Sequence, residues 1–488
     1  MGVGVIEEKI RSLKFSGVKA VAGLIQRMSP RIRKINPYVS GIHRPMKEEK
    51  TLPNLEIVGE IPETLDGLYS RIGPNPITSS AGDRQHWFLG DGMVHGIRIE
   101  KGKASWYRNR WIRSHSVSKT LGEASAPGPR NSVADNANTN VIQIGGRFFA
   151  IVEAGAYPVE IDEYLETIKH NPFDNALQGS FSAHPHLDPS TKELHAICYD
   201  ALVKDTVWHV VVNTEAKVIR REPIRVVDGP SIHDCAITTN YVLVFDLPVT
   251  FSVRAALAGH GFPYKWNPSH RARVGLCPRA GRGEETVWFD VDPCYVFHPV
   301  NAFENPDGSV VVDVVTHDSM FKTSKIGPDS KSSRLERWTM NAGDSGVSRR
   351  VIHDHNQEFP RINEGYTCKP HRYVYSVSLP SDLKTSNLTT SGTSLFKVDT
   401  ETSDVSQHDF GPDRYPGEFV FISKNLRLNY EDVIPEDEGW LMGFVVDVAR
   451  QVTELVILDA QFISSDAVAK IQIPHIVPPG FHGNWFQS

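Results

Sequence analysis

The chain has 488 residues, 40% hydrophobic and 23% charged, with a formal net charge of -6. That is globular composition, with no overall basic field of the kind that draws nucleic acid. No apolar run approaches the roughly 20 residues of a membrane-spanning helix, and five cysteines without a C-x-x-C pair suit a reducing compartment.

Residues 1–36 read as a basic amphipathic helix. Ile6, Ile10, Leu13, Val21, Leu24, Ile25 and Met28 recur mostly at three- and four-residue steps, which places them near one face. Lys9, Arg11, Lys14, Lys19 and Arg27 supply charge, and Pro30 and Pro37 end the pattern. Such a helix can lie on an anionic membrane or pack on its own domain. Glu7, Glu8 and the basic residues break up any signal-peptide core. The expectation is a cytoplasmic protein whose membrane contact, if any, is peripheral.

From residue 50 the pattern changes to short β-rich runs between Gly, Asn, Asp and Pro clusters. Examples are residues 147–152, 194–199, 208–212, 241–245, 309–315, 373–377, 441–446 and 455–458. Residues 394–398 and 405–410, joined by an Asp-Thr-Glu-Thr-Ser-Asp turn, read as a hairpin. This predicts an all-β barrel, sandwich or propeller. Residues 251–270 and 320–333 lack strand signals and are expected to form long loops over one face, where sites tend to sit. The terminus, residues 474–485, carries three prolines, and Phe481 and Gly483 flank His482. Such a rigid, apolar end is expected to dock into the body instead of fraying.

Four of the twenty histidines have apolar neighbours that would keep an imidazole neutral. They are His184 in Phe-Ser-Ala-His-Pro, His233 in Ser-Ile-His-Asp, His298 in Tyr-Val-Phe-His-Pro, and His482. Any one alone is more often a core residue, but four invite a metal site, since neutral imidazole suits iron, copper, zinc and nickel. Their wide spacing excludes a local finger or ribbon. It calls for a fold that returns the chain repeatedly to one axis, as a β-propeller does.

From about residue 53 onward the chain resembles the carotenoid cleavage oxygenases, non-haem iron enzymes that split conjugated double bonds with O2. The resemblance rests on the four histidine contexts and on several further segments. These are Gly59 to Gly67 (GEIPETLDG), Arg71 to Pro76 (RIGPNP), Gly90 to Gly96 (GDGMVHG), Asn138-Thr139-Asn140 and Glu358 to Asn363 (EFPRIN). It implies a seven-bladed β-propeller with a helical and loop dome, here a single catalytic domain over residues 37–488. It also implies Fe(2+) held by His184, His233, His298 and His482. Glu153, Glu358 and Glu418 would then accept the far N–H of a ligand, fixing its tautomer and ring angle. Four neutral ligands leave the ferrous ion its full charge and open positions for O2, and a polyene supplies the electrons for cleavage to two carbonyl products.

Trp111 stands where stilbene-cleaving relatives are expected to have a tyrosine. Tryptophan offers one N–H and no phenol-like partner, which favours a carotenoid or apocarotenoid over a stilbene. Phe297, Phe303 and Trp485 flank the candidate ligands and are expected in the substrate wall. Alternatives are stilbene cleavage, retinoid isomerisation, and a non-catalytic propeller that binds an apocarotenoid.

Overall fold

Apolar, β-branched runs become the middle strands of seven antiparallel sheets, the blades of a β-propeller. The computed structural model describes residues 36–78, 85–131, 134–381, 383, 392–424 and 435–488. The helix expected over residues 1–36 lies outside them except for Asn36. Strand Val310–His317 shows why the blades form. Its sequence, VVVDVVTH, is buried at every position because neighbouring blades cover both faces. Each buried valine contributes about 1.5–3 kcal/mol. Asp313 is tolerated there because Arg337 Nε and Nη2 donate to its two oxygens at 2.8 and 2.7 Å, and His371 Nε2 lies 3.1 Å away. Outer strands are polar, as in Val405–Asp409 (VSQHD), which discourages edge-to-edge pairing.

The blades follow one another along the chain. Blades two to six begin with strands Asn140–Ile144, His186–Leu187, Cys235–Ile237, Tyr295–Glu304 and Gln357–Arg361, and each continues outward through three more strands. The expected hairpin is the outer pair of blade six, Ser394–Asp399 with Val405–Asp409. Residues 251–270 depart from the expected loop. They hold a short helix, Val253–Leu257, and Tyr264–Trp266 pairs with Val249–Phe251. The tripeptide Tyr-Lys-Trp is too short to signal a strand by alternation.

Two blades are closed by chain segments far apart in sequence. In blade one, C-terminal strand Gly483–Gln487 pairs with Gly67–Pro74. In blade seven, Glu56–Gly59 is added to Ala469–Ile473. The segment before the last strand is docked, as its prolines and glycines suggest. Phe481 N–H donates to Ile72 O at 2.9 Å, Ile72 N–H donates to His482 O at 3.1 Å, and Arg71 Nη2 donates to Pro478 O at 2.7 Å. Gly73 and Gly480 allow this approach, since a Cβ on Gly73 would lie 2.4 Å from Gly480 Cα.

Candidate metal centre

Each blade sends one residue to the axis. His482 precedes the innermost strand of blade one, His184 and His233 precede the first strands of blades three and four, and His298 lies within that of blade five. Glu153 follows strand Arg147–Ile151 of blade two, Glu358 lies in the first strand of blade six, and Glu418 sits between Arg414–Pro416 and Val420–Ser423 of blade seven. Ligand atoms of the four histidines all lie within 4.8 Å of one another. The rings meet at 4.5 Å for His184 and His233, 4.5 Å for His184 and His482, and 5.0 Å for His298 and His482.

Three histidines have a glutamate behind them. His298 Nδ1 donates to Glu358 Oε2 at 2.6 Å, and His482 Nδ1 donates to Glu418 Oε1 at 3.0 Å. His233 Nδ1 lies 2.7 Å from Glu153 Oε2, a close contact set off the hydrogen-bond axis. With the proton on Nδ1, Nε2 presents its lone pair to the centre. His184 differs. Its Nδ1 is 3.9 Å from Asp234 Oδ2, beyond hydrogen-bond range, and Asp234 Oδ1 already accepts from His186 Nε2 and Cys235 N–H.

The electrostatics suit a cation. Burial, followed by the three facing imidazoles, holds His184 well below the usual histidine range. Burial also lowers His482, whereas at His298 the Glu358 carboxylate outweighs burial and raises it. Burial would raise both Glu358 and Glu418, but facing histidines reverse this. Glu358 falls far below the carboxylate range, and Glu418, with Arg361 also nearby, falls to about 2. Nε2 of His184 and Nε2 of His298 are buried and make no hydrogen bond. Unpaired polar atoms at one point are costly without a ligand, so the residues fit a divalent metal bound by neutral nitrogen.

The Asn138-Thr139-Asn140 motif assembles the ring. Asn140 Nδ2 donates to Ala183 O beside His184, Asn140 Oδ1 accepts from Asn484 Nδ2, and His482 N–H donates to Thr139 O. Phe359 has a left-handed backbone, φ 52°, and its ring packs against His298 and His482 at 5.4 Å each. A bulky residue in that region is strained by about 1–3 kcal/mol.

A cavity of about 720 Å³ reaches the centre, with His233, His298 and His482 in its wall. The rest of the wall is largely apolar, including Phe88, Phe262, Phe297 and Phe481, and among the described residues it has no lysine or arginine. Phe297 stands edge-on to His233 at 5.0 Å. The other three expected wall residues lie elsewhere. Trp111 is buried with Met93 and Val117, and its Nε1–H donates to Asn75 O, so it does not report on the substrate. It ends strand Lys103–Trp111, three strands out from the axis. Phe303 is five residues past His298, beyond two register shifts, and packs against His371 and Arg337. Trp485 is an odd number of residues from His482, so alternation turns it to the other face, where it pairs in register with Tyr69. Sequence reasoning passed over His317 and Tyr199. Both line the cavity, His317 Nε2 donating to Glu358 Oε1 at 2.8 Å and Tyr199 Oη donating to Glu153 Oε1 at 3.1 Å. Neither has a motif around it that could have marked it.

A propeller with a four-histidine centre and an apolar cavity defines a metal-centred β-propeller class. Residues 43–487 match the family described as retinal pigment epithelial membrane protein, and the chain belongs to that family, which includes the carotenoid cleavage oxygenases. It is 39% identical to a carotenoid cleavage oxygenase of Mycobacterium tuberculosis, covering 92% of this chain and 97% of that one. It is 29% identical to a carotenoid 9,10(9',10')-cleavage dioxygenase of Crocus sativus, covering 91% and 88%. Among solved structures, Pseudomonas brassicacearum lignostilbene dioxygenase superposes with TM-score 0.82 at 24% identity, covering 94% of this chain and 100% of that one. A cobalt-substituted Synechocystis ACO gives TM-score 0.79 at 24% identity, covering 91% and 97%. At such identity these two establish the fold.

Proposed function

We propose that this protein is a non-haem Fe(2+) dioxygenase that cleaves one conjugated C=C bond of a carotenoid or apocarotenoid. The carrying observation is the apolar cavity opening directly onto the four-histidine centre. Similarity to relatives named for carotenoid cleavage supports the same reading. His184, His233, His298 and His482 would hold the iron, with Glu153, Glu358 and Glu418 orienting three of the rings. When bound, ferrous iron supplies the binding and activation of O2. The chain's own residues do the rest. The aromatic wall binds the polyene by apolar contact and excludes water, and the cavity fixes which double bond lies at the centre. The C=C bond is broken, each carbon takes one atom of O2, and two carbonyl products leave. The electrons come from the polyene, so no reductant is needed. The described wall carries no lysine or arginine to pair with a phenolic oxygen and is largely apolar, which supports a polyene over a stilbene.

Residues 1–36 would bring this cytoplasmic enzyme to lipid-dissolved substrate through peripheral contact, which the apolar stripe with its Lys and Arg residues supports. The deciding experiment is aerobic incubation under ¹⁸O2 with carotenes, apocarotenoids and stilbenes, followed by mass spectrometry. Two labelled carbonyl products from a polyene are expected. Cleavage of stilbenes alone would overturn the substrate class.

A further inference from the structure

We infer that His317 is a positioning residue for the metal centre, holding His298 in place through Glu358 while forming part of the cavity wall. The inference rests on the four-histidine site being a metal centre. Glu358 is a buried carboxylate that receives three N–H groups. His298 Nδ1 donates to Oε2 at 2.6 Å, and Phe359 N–H donates to the same oxygen at 2.6 Å. His317 Nε2 donates to the other oxygen, Oε1, at 2.8 Å. His317 is thus the donor on the second oxygen and, with Phe359 N–H on Oε2, holds the carboxylate at both ends against a rotation that would swing Oε2 away from His298.

The chemistry also sets the state of His317. A carboxylate only accepts, so both imidazoles must donate to it, and His317 carries its proton on Nε2. Its Nδ1 is buried without a partner, which suits a lone pair and not a second N–H. The ring is 1% exposed and stands edge-on to Phe297 at 5.5 Å, itself part of the wall. The geometry thus runs Phe297 to His317 to Glu358 to His298, a continuous path from substrate wall to ligand.

The other glutamates are held differently. Glu153 Oε1 takes the Tyr199 hydroxyl, and Glu418 Oε2 takes the backbone N–H of Gly483 at 2.8 Å. Among the described residues, only Glu358 depends on a second histidine.

The test uses the full chain loaded with Co(II), whose ligand-field spectrum reports coordination directly. H317F keeps a ring but lacks the N–H, and H317Q restores an N–H donor near the same place. H317F is expected to weaken Co(II) binding by about 10- to 100-fold and to shift the visible spectrum, with H317Q returning toward wild type. Because His317 acts through Glu358, H317F should add little in an E358Q background. A folded H317F with wild-type affinity and spectrum would overturn the inference, as would full additivity with E358Q. Should H317F fail to fold, H317M takes its place in the same comparison. Failure of the wild type to bind one Co(II) per chain would instead remove the metal-centre reading itself.

Discussion

At the centre of the molecule each imidazole is asked to be neutral, correctly protonated and correctly turned. Burial favours the neutral form at His184 and His482, and Glu358 and Glu418 fix the proton and the ring angle at His298 and His482, with Glu153 in contact with His233. Replacing His184, His233, His298 or His482 with Ala should remove one donor and abolish bound metal and turnover together, measured as iron content and product formation. Glu→Gln at 153, 358 or 418 keeps the shape but can present an N–H where an acceptor is needed. It should weaken metal affinity by about 10- to 100-fold with little loss of fold; retention of full affinity by all three would detach them from the centre. His184 and His298 could be singled out because each sits in an apolar context on its own, and the structure brings them together. Phe303 and Trp485 stand out by nearness in sequence to a ligand, and a register shift and strand alternation carry them elsewhere; Trp111 stands out by its resemblance to a tyrosine position of stilbene-cleaving relatives, and its strand lies far out in blade one. His317 was invisible for the opposite reason. It ends an ordinary apolar strand, and its role appears only when blade five meets blade six.

Single elements carry the ligands, so local packing should be readable as metal affinity. Gly480 lies two residues before His482, and a Cβ there would sit 2.8 Å from Ile72 O and from the Arg71 guanidinium. G480A should therefore push the docked terminus off strand Gly67–Pro74, destabilising the fold by about 1–3 kcal/mol and loosening metal through His482. Urea unfolding and metal content together check this, and normal values for both would mean that the terminus is not under that constraint. Blade four gives a pH test remote from the centre. The His270 ring is fully buried, Nε2 lies 2.8 Å from Asp246 Oδ1, and Nδ1 lies 3.2 Å from Asp228 Oδ2. Burial lowers His270, but the two aspartates outweigh it and the net shift is upward. A raised pKa stabilises the fold fully below the unfolded-state value of about 6.5, and the gain disappears as pH rises through the folded value. The melting-temperature gap between wild type and H270Q should thus be larger near about pH 6 than near about pH 9. A gap that widened with pH would contradict the pairing. Strand content was legible in this region because Tyr241 to Asp246 is an apolar β-rich run. The ribbon Val249–Phe251 with Tyr264–Trp266 was not, since each partner is three residues long.

Across the whole molecule, the seven-residue ring at the axis couples the blades to one another. Seven blades contribute one group each, and blades one and seven are completed by strands from opposite ends of the chain. No helix among the described residues is long and apolar enough to cross a membrane; the proposed peripheral contact through the N-terminal segment is tested by truncation. Deleting residues 1–35 should reduce binding to anionic liposomes and raise the apparent KM for liposomal substrate, with turnover in detergent little changed. Each basic residue near an anionic surface contributes about 1 kcal/mol that salt screens; equal liposome binding by both proteins would return this segment to packing on its own domain. The axial ring leads to a further expectation about unfolding. A metal held by His482, His184, His233 and His298 would tie blades one, three, four and five together, and it would bind only the closed propeller. Free metal at a hundred times its Kd then stabilises the folded state by about 2.7 kcal/mol. Removing it with a chelator should lower the melting midpoint, and adding it back should restore the midpoint. In H482A the same treatment should leave the midpoint almost unmoved, because blade one no longer has a ligand to offer. If the wild type melts identically with and without metal, the centre does not brace the ring, and closure rests on the two shared blades alone.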